Sequence, residues 1–177
     1  MEENHKNPKE IKKINFGPKK LKTFFIKHLD KIYAAKSHLI GHLPKIANEA
    51  HFSDLRYAIL ETMEDVEKQL ARMEIIYNIL DAERSDASYS GLSGLVDDAF
   101  ADIMLHSSEP EFRDMSIAFY MQNIESMEAS SFQVLQMAAV KLKNKQVKQL
   151  IKENYDEAKA DRTLLLFITA KYITAKE

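Results

Sequence analysis

Residues 54–80 read DLRYAILETMEDVEKQLARMEIIYNIL. Here Leu55, Ile59, Met63, Val66, Leu70, Met73, Tyr77 and Leu80 recur at alternating steps of four and three. At ~100° per residue these side chains share one face of a helix. The alternation is that of antiparallel helices packed knobs into holes. Ser53 stands before the run as its expected N-cap, with Asp54 favourable in the first turn.

Upstream, Leu21, Phe25, Leu29, Ile32, Leu39, Leu43 and Ile46 mark one face of a first helix over about residues 20–50. Pro44 lies inside it and predicts a bend one turn earlier, with the helix continuing beyond. The short His51-Phe52 break makes the first two helices neighbours. Downstream, residues 81–94 are rich in Asp, Ser, Ala and Gly and form the longest interruption, which implies a crossover connection. Leu95, Val96, Ala99, Phe100 and Ile103 predict a short helix within it, over about 95–105. Pro110 opens a third long helix, about 110–143, whose face is drawn by Ile117, Tyr120, Ile124, Met127, Ser131, Val134 and Ala138. The last helix, about 146–174, carries Val147, Leu150, Ile151, Ala158, Leu165, Ile168 and Tyr172. Two helix hairpins joined by a long crossover predict an all-α fold, a ferritin-like antiparallel four-helix bundle with a short extra helix in the crossover.

Composition narrows the function classes. A chain of 177 residues with 45% hydrophobic and 29% charged residues can bury one continuous core, so a single domain over 21–177 is expected. There is no cysteine, which removes disulfides, zinc-thiolate sites and thiol catalysis and suits a cytoplasmic location. No segment reads as a signal peptide or a membrane span, so no membrane partner is expected. The net charge of -2 gives no general attraction to nucleic acid. Residues 1–20 are lysine-rich and are expected to form a basic, mobile tail, with a nucleic-acid arm as the weaker alternative. Phe24, Ile75, Ile79 and Phe167 lie off the main stripes and point to a homodimer.

Polar residues interrupt the apolar faces. Asn154 and Asp161 fall inside the stripe of the last helix, with Glu157 on its edge. Glu125 and Glu128 are flanked by Met121 and Phe132, Asp65 borders the second helix's stripe, and Gln69 lies closer to its centre. The first helix brings Lys36 within ~50° of its apolar centre, and His28 nearer still. A buried carboxylate needs a cation or a hydrogen bond. Acidic pairs three or four apart on facing helices can hold hard cations, whereas the simpler account is solvated charges at the bundle's edge. His38 and His42, four apart on one face, read as solvent-facing residues, with adventitious surface metal as the alternative. Ser37-His38 lacks a third member for a triad, and no phosphate-binding glycine loop occurs.

At these same positions the chain resembles the YciE/YciF family of bacterial stress-associated, ferritin-like proteins. Asp30-Lys-Ile-Tyr-Ala-Ala-Lys-Ser-His-Leu39 followed by Leu43-Pro44-Lys45 is similar to the family's opening signature. Glu64-Asp65 with Gln69, Arg72 and Glu74 resembles its second-helix motif, Asn123-Ile-Glu125-Ser-Met-Glu128 its third, and Leu150 to Glu157 with Asp161 its last. Three departures stand out: Lys36 where the family has a glutamate, Val66 where it has a threonine, and Ser126 where it has a histidine. Carried across, the resemblance implies Asp65, Glu125, Glu128 and Glu157 as candidate metal ligands, with Gln69 and Asp161 in support.

Lys36 is then expected to pair with these acids, reaching toward Glu128 and Glu157 in place of a metal. The resulting expectation is a stress-associated, non-enzymatic protein with a degenerate metal site and no cofactor. The alternative is a carboxylate-bridged di-metal oxidase, peroxidase or metal-handling protein using iron or manganese, with Lys36 turned outward.

Overall fold

Gly17 and Pro18 open the first helix in the computed structural model of the chain, which describes residues 17–85 and 90–174. Five helices follow in order: α1 Pro18–Glu49, α2 Ser53–Ile79, α3 Ser90–Leu105, α4 Pro110–Leu142 and α5 Lys145–Ile173. The described residues contain no strand. The basic tail expected over residues 1–20 lies outside the described residues as far as residue 16. Pro18 to Lys20 already belong to α1, because proline at the first helical position sacrifices no hydrogen bond.

α1 packs on α2 and α4, and α5 packs on the same two helices, while α3 lies against α1 and α4. Two apolar clusters fill this square. One gathers Leu39, Leu43, Ile46, Leu55, Ile59, Ile117, Met121 and Leu165, together with Val96 and Ile103 of the crossover helix. The other gathers Phe25, Leu29, Ile32, Met73, Ile76, Phe132, Leu135, Val147 and Ile151. Read along the chain, α1 and α5 pass from the second cluster to the first, and α2 and α4 pass the other way. Neighbouring long helices therefore run in opposite directions.

α1 continues through Pro44, with Leu43, Ile46 and Ala47 buried around it. Pro44 itself is exposed, so the carbonyl one turn earlier that loses its donor lies toward water. Ser53 is not the cap of α2, since its side chain makes no capping bond. The turn before α2 is held instead by Asp114 of α4, which is fully buried and accepts from the backbone N–H groups of His51 at 2.9 Å and Phe52 at 2.5 Å. Arg56 closes the other side of the turn by donating to the carbonyls of Ala47, Asn48 and Ala50.

Two expectations are corrected. α3 begins at Ser90 and takes in Gly91 and Gly94, which the sequence places in the loop. Helical glycine costs only ~1 kcal/mol, and burial of Val96 and Ile103 in the first cluster, with Ala99 also buried, offsets it. The buried face of α4 is the expected one only in part: Ile117, Ile124 and Ala138 are buried as expected. Met127 and Val134 are exposed, and Met121, Glu125, Glu128, Phe132 and Leu135 point inward. Two glutamates on the inner face leave a second, outward apolar stripe as the stronger periodic signal.

Gly41 sits in the exposed interior of α1, and an added Cβ would meet nothing within 4 Å. Gly41→Ala is therefore expected to stabilise the fold by ~0.5–1 kcal/mol, measured by urea denaturation.

Candidate functional site

On each long helix the boundary between the two apolar clusters is polar. α1 contributes Lys36, α2 contributes Gln69, α4 contributes Glu125 and Glu128, and α5 contributes Asp161, all of them buried. Their spacing from the flanking apolar residues keeps helical period: Gln69 lies three after Val66 and four before Met73, and Glu128 four before Phe132. The helices thus carry a polar layer across the core without breaking the inward face.

The centre of the layer is an ion pair between Lys36 Nζ and Glu128 Oε2, with neither side chain reaching solvent. Lys36 Nζ also stands 5.8 Å from the centroid of the Phe132 ring. Burial alone would lower the Lys36 pKa, but Glu128, Glu125, the hydrogen bond to Glu128 and Asp161 outweigh it and hold the ammonium above its usual range. Several polar atoms of the layer have no hydrogen-bond partner: both carboxyl oxygens of Glu125, Glu128 Oε1, Asp161 Oδ2, the Gln69 amide nitrogen and oxygen, and the Thr62 hydroxyl.

One ammonium among three carboxyls cannot neutralise them all, and the protonated forms of the others are favoured. Burial raises Glu125 well above the ordinary glutamate range, and the charge of Glu128 adds to this against the opposing pull of Lys36. Asp161 is pushed up to about 7, first by burial and then by Asp65, with Lys36 opposing.

The other two expected acids lie at the layer's edge and are engaged by other cations. Glu157 accepts a two-pronged pair from Arg72, at 2.5 Å and 2.7 Å, rather than reaching Lys36. Arg72 also reaches Asn154 at 3.4 Å and Glu153 at 3.1 Å. Asp65 is partly buried and takes Lys68 at 2.8 Å. Arg72 is a member of the site that its charge alone does not reveal; the signal is its place, three residues after Gln69 and on the side of α2 that meets α5.

This arrangement does not fit a two-metal centre. The Lys36 ammonium occupies the middle of the acids, and Glu157 and Asp65 are held by Arg72 and Lys68. The described histidines are also engaged elsewhere: His28 packs on Phe24, His38 on His42, His51 on Phe52 and His106 on Phe112. Among the described residues, the metal-type constellation is instead His38, His42 and Asp97, away from the layer.

The sequence pattern of a family described as a domain of unknown function, DUF892, matches residues 20–176. The chain belongs to this family. Its fold is shared by the E. coli stress protein YciF, with a TM-score of 0.82 and 22% identity over 88% of this chain and 98% of that one. YcfI from Rhodopseudomonas palustris gives a TM-score of 0.77 at 21% identity, covering 94% of this chain and 99% of that one. A protein of Xanthomonas campestris gives 0.68 at 15% identity, covering 88% and 94%. No curated protein matches the chain. In this DUF892 protein, Lys36, Gln69, Glu125, Glu128 and Asp161 fall on the polar layer, and Asp65 and Glu157 on its rim.

The raised Asp161 carries a definite pH signature. Its folded pKa of about 7 exceeds the model-compound 3.8, so its contribution is fully present below pH ~4 and is lost as pH rises through ~7. Asp161→Asn removes this loss. Relative to the unmodified protein, the variant is expected to gain ~1–3 kcal/mol between pH 5 and pH 8 in urea denaturation; a difference that does not change with pH would place Asp161 in an ordinary solvated state.

Proposed function

We propose that this DUF892 protein is a ferritin-like antiparallel four-helix bundle in which Lys36 takes the place of a metal, and that it acts as a stress-associated protein without oxidase or peroxidase chemistry. The single observation behind this reading is the buried Lys36–Glu128 pair amid Glu125 and Asp161. A buried ammonium persists only with anionic partners, and clustered buried acids persist only with a cation or protons. Each half therefore accounts for the other. Redox chemistry on a carboxylate-bridged metal pair requires coordination positions that the ammonium fills here.

The reading extends to a cytoplasmic homodimer. Phe119, Met127, Val134, Met137 and Val140 form an exposed apolar stripe along α4, the natural face for a second copy. Of the residues first expected there, Ile75 and Phe167 are exposed, while Phe24 and Ile79 pack partly against the second cluster. No described helix is long and apolar enough to cross a membrane.

Metal analysis of protein purified without a chelating tag is expected to find well under one equivalent of iron or manganese. Lys36→Glu restores the family's carboxylate and sets a fourth acid among three. It is expected to cost at least ~3 kcal/mol without metal and to be rescued by manganese. Two equivalents of iron or manganese on the unmodified protein, with Lys36 turned to solvent, would replace this reading with the metalloenzyme.

A further inference from the structure

Away from the polar layer, the crossover helix meets α1 at three side chains of ligand type. His38 and His42 lie one turn apart on α1, and Asp97 lies on α3. One ligand atom from each falls within 4.8 Å of the others. His38 Nε2 is 2.6 Å from Asp97 Oδ1. His42 Nδ1 is 3.0 Å from the backbone carbonyl of His38, and since a carbonyl only accepts, Nδ1 must carry the proton. That bond fixes the His42 tautomer and leaves the Nε2 lone pair to face a cation, the orientation in which ligating histidines are held. The rings of His38 and His42 are 4.7 Å apart, and Phe100 stands edge-on to His42 at 4.8 Å as an apolar wall. The neighbouring cation, Lys45, lies over the Phe100 ring at 4.6 Å.

We propose that His38, His42 and Asp97 form a mononuclear site for a divalent transition metal of the zinc class, which ties the crossover helix α3 to α1. Two imidazoles and one carboxylate are the donor set that zinc favours, whereas calcium and magnesium require oxygen. Ligand atoms on a tetrahedral zinc stand ~3.4 Å apart, given bonds of ~2.1 Å. The present separations bracket this spacing, from 2.6 Å between His38 Nε2 and Asp97 Oδ1, where a hydrogen bond opens to admit the metal, up to 4.8 Å, and His38 and Asp97, 36% and 60% exposed, have the freedom to adjust. Solvent on the open side supplies the fourth position. The chemical pattern is two-part in sequence: a histidine pair at i, i+4 on one helix, and an acid on a helix that only the fold brings alongside. Its metal is distinct in ligand class from the iron or manganese that the carboxylates of the core would take.

The test is calorimetric titration of the untagged, full-length protein with zinc chloride, alongside ring resonances of the histidines by NMR. One equivalent is expected to bind in the micromolar range, to raise the melting temperature and to move the ring signals of His38 and His42 while those of His28, His51 and His106 stay in place. His42→Ala and Asp97→Ala are each expected to weaken binding by at least ~10-fold. Both substitutions remove solvent-accessible side chains, and the NMR measurement on the unmodified protein decides the matter even where a variant misfolds. The proposal is overturned if zinc at tens of micromolar leaves the protein unchanged. It is equally overturned if the variants bind as the unmodified protein does, or if the His38 and His42 signals do not respond, since zinc would then reside elsewhere, with the core acids as the next candidates.

Discussion

The rest of the molecule is arranged around a lysine and a glutamate that have both left water. Desolvating each ion costs several kcal/mol, and only their mutual attraction and the groups around them offset it. Removing either partner would strand the other. Lys36 and Glu128 come from α1 and α4, so the pair sets the level at which these helices meet. A slip of one turn would push a charge into one of the two apolar clusters. Gln69 and Asp161 complete the same level on α2 and α5, which makes the polar layer a register mark for all four long helices.

The layer also explains the state of its own members. Because Lys36 is shared between Glu128 and its neighbours, burial and like charge raise the pKa values of both Glu125 and Asp161 and favour their protonated forms. At the rim, where water still reaches, the solution is different: Arg72 grips Glu157 with two parallel bonds and bridges to Asn154 and Glu153. Farther along, the Asp114 carboxylate holds the α1–α2 turn from across the interface with α4. These polar contacts link helices distant in sequence, and together they select one packing among those the apolar stripes would tolerate.

The chain belongs to DUF892 and shares the fold of YciF, and within that fold its buried lysine stands among acids. Charge arithmetic then separates two regions of the same scaffold. The core has acids and its own cation; the junction of α1 with α3 has imidazoles, an acid and an open side. Chemistry that needs a divalent ion is better served at the second than at the first.

The apolar stripes of α1, α2 and α5 are legible from sequence because every inward position but one or two is apolar, and local periodicity then reports burial directly. The intrusion of Gln69, Asn154 and Asp161 into those stripes, and of Lys36 beside its own, is legible for the same reason. On α4 periodicity misleads, since Glu125 and Glu128 occupy the inner face while Met127 and Val134 sit outside. Hydrophobicity can rank a residue but cannot know that a buried acid has a lysine waiting on another helix. Partner choice is likewise decided only in three dimensions. That Glu157 meets Arg72, that Asp114 holds the turn at Phe52, and that Asp97 meets His38 all depend on distances between residues 59 to 85 positions apart. The sequence by itself determined the helices, their short and long connections and the presence of charges in the core; tertiary structure decided which charge meets which, because electrostatic pairing acts through space and a helical period records only a residue's own face.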